Sequence, residues 1–364
     1  MKFLSFLLLC GLRTLSYAQP GITAIEIDSS YDTLITHTRQ LVQRECTKQN
    51  YPGLAIAVWQ QGELIWSEGF GYANVSDSVK VDPANSLFRI GSISKTLTAA
   101  GLAKLVERGA FDLDAPVQKY VPDFPLKKWP VTTRQVAHHV AGIRHYNGLE
   151  FFSNTNYSSV RDALEVFMHD TLLFMPGEKY SYSSYGWNLV SAAMEAASGK
   201  NFLEYMQAEV FIPAHMKNTY PDDIKMPYLP RVSFYNLLSD SNVVAPQVDN
   251  SIKWAGGGFL STAEDLVHFG EAILDHDLIH EETTRLFWTT ASLPNGNSTN
   301  YGLGWATNED KRGRQWVGHS GGSVGGSSMF LVYPEQRLIV VTLVNRSQAR
   351  AQDLAFTIAD QFLN

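Results

Sequence analysis

The sequence predicts an α+β protein in which both ends of the chain build one antiparallel sheet and a mainly helical region is inserted between them. Three observations carry this. Apolar, β-rich runs lie near the start, at 53–59 and 63–67, and again near the end, at 328–333 and 338–344. The stretch between them, about 91–299, is dominated by helix-period segments and loops. No repeat, low-complexity tract or Pro/Gly/Ser linker separates independent modules. The sheet parts therefore fall at about 19–90 and 300–364 of one domain, 19–364, with a cleft at the junction of sheet and helices.

Taken in order, the chain begins with Lys2 and an apolar run from Phe3 to Leu12, then Ser16-Tyr17-Ala18 before Gln19. This reads as a secretory signal peptide, 1–18, and hence as a secreted protein. Lys2, Arg13 and the absence of an acidic residue before Glu26 leave a mitochondrial presequence as the alternative. A helix is expected at 32–46, followed by a hairpin whose strands, 53–59 and 63–67, are joined by Gln60-Gln61-Gly62. Near the other end, Pro334-Glu335-Gln336 separates the last two strands, and a helix is expected at 351–363.

Composition limits the function. With 364 residues, 45% apolar and 18% charged, the chain can bury a large core. Its net charge of -7 and lack of a Lys/Arg block argue against nucleic acid or an anionic membrane as partners. No run reaches the ~18 apolar residues of a membrane span. Cys10 would leave with the signal, and Cys46 then stands alone without catalytic flanks, an incidental thiol. Asn74, Asn156, Asn297 and Asn345 open glycosylation sequons that matter only in a secretory route.

Three short motifs bear on chemistry. In Ser92-Ile93-Ser94-Lys95, a serine opening a helix-compatible run has a lysine one turn on, the spacing that places an amine on the face of a hydroxyl it must deprotonate. The amides at that helix start favour developing negative charge. Downstream, Tyr180-Ser181-Tyr182-Ser183-Ser184 precedes another helical stretch, and Gly318-His319-Ser320-Gly321-Gly322 precedes the late strands, where glycines let a substrate backbone approach. Alone, each motif also reads as a helix cap, an aromatic core segment or a Gly-rich turn.

Their order, S-x-x-K, then Y-x-N or a variant, then K/H-x-G, resembles the serine β-lactamase and penicillin-binding superfamily, in particular its class C and esterase-like branch. Phe88-Arg89-Ile90-Gly91, Asp112-Leu113-Asp114-Ala115-Pro116-Val117, His139-Val140-Ala141-Gly142-Ile143, Pro176-Gly177, Ser261-Thr262 and Tyr301-Gly302-Leu303-Gly304-Trp305 look like its landmarks. Gly142-Ile143-Arg144-His145-Tyr146 and the run from Asp249 to Thr262 are similar to the animal mitochondrial serine β-lactamase-like group. That resemblance implies a serine hydrolase working through an acyl-enzyme on a peptide or a small ester or amide, without cofactor or metal. Members of that group also form filaments, so a homo-oligomer is possible here.

Residue by residue, the resemblance implies Ser92 as nucleophile, Lys95 as its proton partner, and Tyr182 as general base and proton donor to the leaving group. The amides of Ser92 and Gly322 would form the oxyanion hole, and Ser184, His319, Ser320 and Gly321 would contact substrate. Ser184 stands where the family usually has Asn, and His319 where it usually has Lys, which points away from β-lactam hydrolysis.

Other readings fit less well. Gly318-His319-Ser320-Gly321-Gly322 matches the G-x-S-x-G elbow, but no His follows Ser320, as an α/β-hydrolase triad requires, and Gly-His stands where a chymotrypsin-like site has Gly-Asp. His138, His139, His145, His276 and His280 form no metal-ligand motif and are expected to be surface or packing residues. A non-catalytic binding or filament-forming scaffold of the same fold is the alternative from another class.

Overall fold

A computed structural model describes residues 30–364; the expected leader at 1–18 lies outside them. The central sheet has seven antiparallel strands: β1 (Gly53–Gln60), β2 (Glu63–Asn74), β3 (Val79–Lys80), β4 (Ala306–Glu309), β5 (Gln315–Ser323), β6 (Gly326–Tyr333) and β7 (Leu338–Val344). Their order across the sheet is β3-β2-β1-β7-β6-β5-β4, so the two chain ends meet where β1 pairs with β7, Leu54 opposite Val344. This is the arrangement expected from the two apolar clusters.

The sheet is buried on both faces, which is why β1 and β7 read as continuous apolar runs and not as alternating ones. Leu54, Ile56 and Val58 of β1, with Leu338, Val340 and Val344 of β7, pack under helices α1 (Ser30–Gln49) and α5 (Ala351–Phe362). Ala55, Ala57 and Trp59, with Ile339, Val341 and Leu343, face the helical region. Each large apolar side chain so buried contributes about 1.5–3 kcal/mol. The β1–β2 turn is Gln61-Gly62, both at positive φ (54° and 101°), as a two-residue hairpin requires.

The helical region centres on α2 (Ser94–Glu107), whose residues from Ser94 to Ala103 are all buried, and on α3 (Ser184–Ser198), which packs beside it. A helix covered on every side belongs in a core. α4 (Ala263–Leu274) lies on the inner sheet face. Among the described residues, no helix is long and apolar enough to cross a membrane.

The middle of the chain is less helical than the sequence suggests. Phe88–Arg89 pairs with Phe259–Ser261, which pairs with Tyr220–Pro221, and Tyr235–Leu238 forms a hairpin with Ser241–Val244. The hairpin turn is Ser239-Asp240 at φ 45° and 67°, turn-forming residue types but with no glycine to mark the positive φ. β2 also runs seven residues past its expected end at Ser67, because Gly69 and Gly71 interrupt the apolar pattern. Those glycines are needed there: a Cβ would sit 2.1 Å from Val81 O or 2.4 Å from Pro52 O.

Candidate active site

Ser92 lies in a 3-10 turn, Gly91–Ile93, that leads into α2. The turn is pressed against β5. Gly91 has φ 51°, and a Cβ on it would lie 2.7 Å from both N and O of Gly322. A Cβ on Gly321 would lie 2.0 Å from Ile90 O, while Ser328 Oγ donates to that same carbonyl at 2.8 Å. Two glycines thus permit the contact that sets Ser92 beside Gly322. β4 pairs with β5 only as far as Gly318, so 319–323 has one edge free of strand partners, and it lines an open cleft of about 1070 Å³ with Ser92.

Around Ser92 Oγ its two expected partners converge. Tyr182 OH donates to it at 2.8 Å, and Lys95 Nζ lies 3.1 Å away. Lys95 Nζ also lies 3.1 Å from Ser184 Oγ and donates to Gly256 O. Gly256 belongs to a glycine run folded over α3, where a Cβ at 256 would lie 2.9 Å from Ser184 O.

Lys95 is fully buried with no carboxylate partner among the described residues, and that desolvation holds its amine well below the usual lysine pKa. The same burial pushes the Tyr182 phenol above its ordinary value. Lys95 Nζ thus sits within hydrogen-bond reach of three oxygens, Gly256 O, Ser184 Oγ and Ser92 Oγ, and is stripped of water.

Behind Tyr182 stands a wall of aromatic and imidazole rings. His139 packs 4.3 Å from the Tyr182 ring and 4.7 Å from that of Tyr301, centroid to centroid. Its Nδ1 accepts from Ser183 N at 3.1 Å, so Nε2 carries the proton. His319 Nδ1 lies 2.6 Å from Ser320 O, which only accepts, so Nδ1 is protonated and Nε2 accepts from Tyr301 OH at 2.8 Å. Burial, then the nearby Lys95, pushes the His319 pKa down to about 3. The ring at the place of the usual strand lysine is thus neutral and held by Tyr301.

The remaining expected residues fall as follows. Ser320 is exposed, in extended strand and not on a strand-to-helix turn, so the elbow reading has no support in the geometry. Ser184 is buried and directed at Lys95. Asn156 and Asn297 are exposed and Asn74 half-buried, but Asn345 has 0% exposure and its Nδ2 donates to Tyr72 O and Ser233 O. The folded protein cannot present Asn345 to a glycosylating enzyme; a sequon says nothing about burial.

The histidines at 138, 139 and 145, expected on the surface or in packing, are packing residues: His138 and His139 are buried, and His139 and His145 lie against the Tyr182 ring. Sequence reasoning missed Tyr301 and Lys253, which acquire their places only through tertiary contacts. Tyr301 stood in a quoted landmark and Lys253 in the run from Asp249 to Thr262, but neither was singled out.

A serine with a desolvated lysine one turn on, a tyrosine from the loop before α3 and an open strand edge make this a candidate site of the serine-lysine class. Comparison with known proteins agrees. The Beta-lactamase family model matches residues 36–362, and the chain belongs to that family.

It is 32% identical over 421 residues to human "Serine beta-lactamase-like protein LACTB, mitochondrial", covering 89% of this chain and 76% of that one. It is 27% identical to "Penicillin-binding protein 4*" of Bacillus subtilis, over 86% of this chain and 72% of the relative. Among solved structures, the octameric penicillin-binding protein homologue from Pyrococcus abyssi superposes with a TM-score of 0.80 at 26% identity, covering 90% of this chain and 77% of that chain. A D-stereospecific amidohydrolase from Streptomyces shares the fold, with a TM-score of 0.74 at 23% identity over 88% of this chain and 97% of its own.

Proposed function

We propose that the protein is a serine hydrolase that acts through a covalent acyl-enzyme on a peptide or a small ester or amide. The observation that carries this is the convergence on Ser92 Oγ of a phenol at 2.8 Å and a fully desolvated amine at 3.1 Å. Ser92 Oγ attacks the carbonyl carbon and its proton passes to the lone pair of Lys95. The oxyanion forms between the Ser92 and Gly322 amides, each such donor being worth about 3 kcal/mol. Tyr182 gives its proton to the leaving nitrogen or oxygen as the carbonyl bond to it breaks, and Lys95 returns a proton to the phenolate. Water then repeats the cycle on the ester.

This divides the roles differently from the expectation for Tyr182. The phenol is harder to ionise than usual, while the amine is easier to keep neutral, which supports Lys95 as the base and Tyr182 as the acid. Ser184 is then a positioning residue for Lys95, and 319–323 is the edge along which substrate lies.

A fluorophosphonate probe tests the reading. Labelling of the wild type that disappears in Ser92→Ala is expected; an unlabelled, well-folded wild type would favour the scaffold reading. For location, the human, mouse and bovine relatives are named mitochondrial, which favours a presequence over the secretory signal. Fusion of residues 1–29 to a fluorescent protein tests this: import into mitochondria is expected, secretion opposes it. The octameric homologue supports a homo-oligomer, checked by light scattering.

A further inference from the structure

Ser92, Phe151, Tyr182, Gly322 and Ser323 border two spaces at once. One is the open cleft; the other is a recess of about 60 Å³ walled by His145, Tyr146, Ser184, Lys253, Gly256 and Gly257. The recess offers room for about two waters, or one small polar group.

Its polar character is one-sided. Lys253 is 3% exposed, and its Nζ donates to a single protein acceptor, Phe151 O, at 3.0 Å. The ammonium otherwise faces rings, with Phe151 at 4.5 Å and Tyr146 at 5.4 Å from the centroids. Two carboxylates in the neighbourhood are committed elsewhere. Asp222 holds Arg89 at 2.7 Å and Arg231 at 3.1 Å, and Asp249 accepts from Asn156 Nδ2 and Ser251 N.

An ammonium has three N–H groups, so among the described residues Lys253 is left with donors and no paired counter-ion. His145 adds a donor to the same wall: its Nδ1 accepts from Ser184 N at 3.1 Å, which puts the proton on Nε2. Gly256 O, an acceptor on that wall, is already taken by Lys95. Across the site, the strand position where a cation would be expected carries the neutral His319.

We propose that this recess is a subsite for a carboxylate on the acyl arm of the substrate, read by Lys253 with His145. The acyl arm is assigned to the recess because the leaving group must depart by the open cleft, whereas the arm that stays esterified to Ser92 can occupy a closed space. The carboxylate supplies the acceptor that the buried ammonium lacks. Lys253 is thus a specificity residue, and the assignment rests on Ser92 being the nucleophile.

The test compares two matched pairs: the p-nitrophenyl ester of glutarate with that of its monomethyl ester, and 3-carboxypropylboronic acid with its methyl ester. Boronic acids add to Ser92 without turnover and report affinity directly. The wild type should prefer the free carboxylate by about tenfold or more in kcat/KM and in Kd, the scale of one charge-assisted contact. Lys253→Met should reduce that preference to about twofold or less, with kcat/KM falling far more for the free carboxylate than for the methyl ester.

Lys253→Gln, which keeps a donor for Phe151 O, reads the same contrast should the methionine variant not fold. A wild type indifferent to the carboxylate, or variants that keep the preference, would overturn the subsite while leaving Ser92-dependent turnover of the neutral ester intact. Loss of all boronate binding and turnover in both compounds would sink the serine-hydrolase reading and the subsite with it.

Discussion

At the residue scale, the candidate site withholds water from two groups whose proton affinities burial drives in opposite directions. Lys95 gives up its proton more readily and Tyr182 holds its own more tightly. Tyr182→Phe should therefore lower kcat by about 10²–10⁴-fold with the melting temperature unchanged. Ser184→Ala removes one hydrogen bond from the amine and should lower kcat about fivefold, the effect of ~1 kcal/mol, with KM little altered. Because Lys95 is active when neutral, kcat/KM should rise with pH through its lowered pKa and level off below the normal lysine range. A rate that keeps climbing towards pH 10 would mean that the amine is protonated in the resting enzyme.

At the scale of elements, the decisive contact is between the turn Gly91–Ile93 and β5. Gly91→Ala brings both a strained left-handed φ and a collision with the Gly322 backbone, so it should slow fluorophosphonate labelling at least about 100-fold, as expected when oxyanion donors are displaced. Gly109 is the control: its φ is 67°, but nothing lies within 4 Å of the added Cβ. Gly109→Ala should cost about 1–2 kcal/mol in chemical denaturation and leave labelling unchanged. The sequence showed the helix start and the strand but not their approach, since Gly91 and Gly321 read equally well as turn residues. The hairpin Tyr235–Leu238/Ser241–Val244 was invisible for a related reason: Ser239 and Asp240 take positive φ without a glycine to mark it.

At the scale of the molecule, imidazoles kept neutral by burial tie stability to pH. His139 and His319 have folded pKa values below the unfolded value of 6.5, His319 at about 3. The unfolded chain therefore binds more protons than the native one between these limits. Their contribution to stability is complete above pH 6.5, declines as pH falls below it and is gone once pH passes the folded values. An imidazole that is neutral in the native state and protonated in the unfolded one adds roughly 1 kcal/mol per pH unit to the slope of unfolding free energy. His139→Asn, which tolerates the φ of 61° at that position, should flatten the slope by about that amount even though it lowers stability. An unchanged slope in urea titrations would show that His139 is charged in the native state.

What the sequence determined by itself was whatever depends on local pattern and order: the pairing of both ends in one sheet, the helix behind Ser92, and the three motifs that name Ser92, Lys95 and Tyr182. It could not tell which polar residues the fold would strip of water. Tertiary structure alone decided that Ser184 faces Lys95, that His139 and His319 are neutral rings behind Tyr182, that Asn345 is buried against Tyr72 of β2 and Ser233, and that Lys253, 161 residues after Ser92 in the chain, stands beside it. The physical reason is common to all four. Burial and proton affinity depend on neighbours distant in sequence, and no residue's spacing along the chain records who those neighbours are.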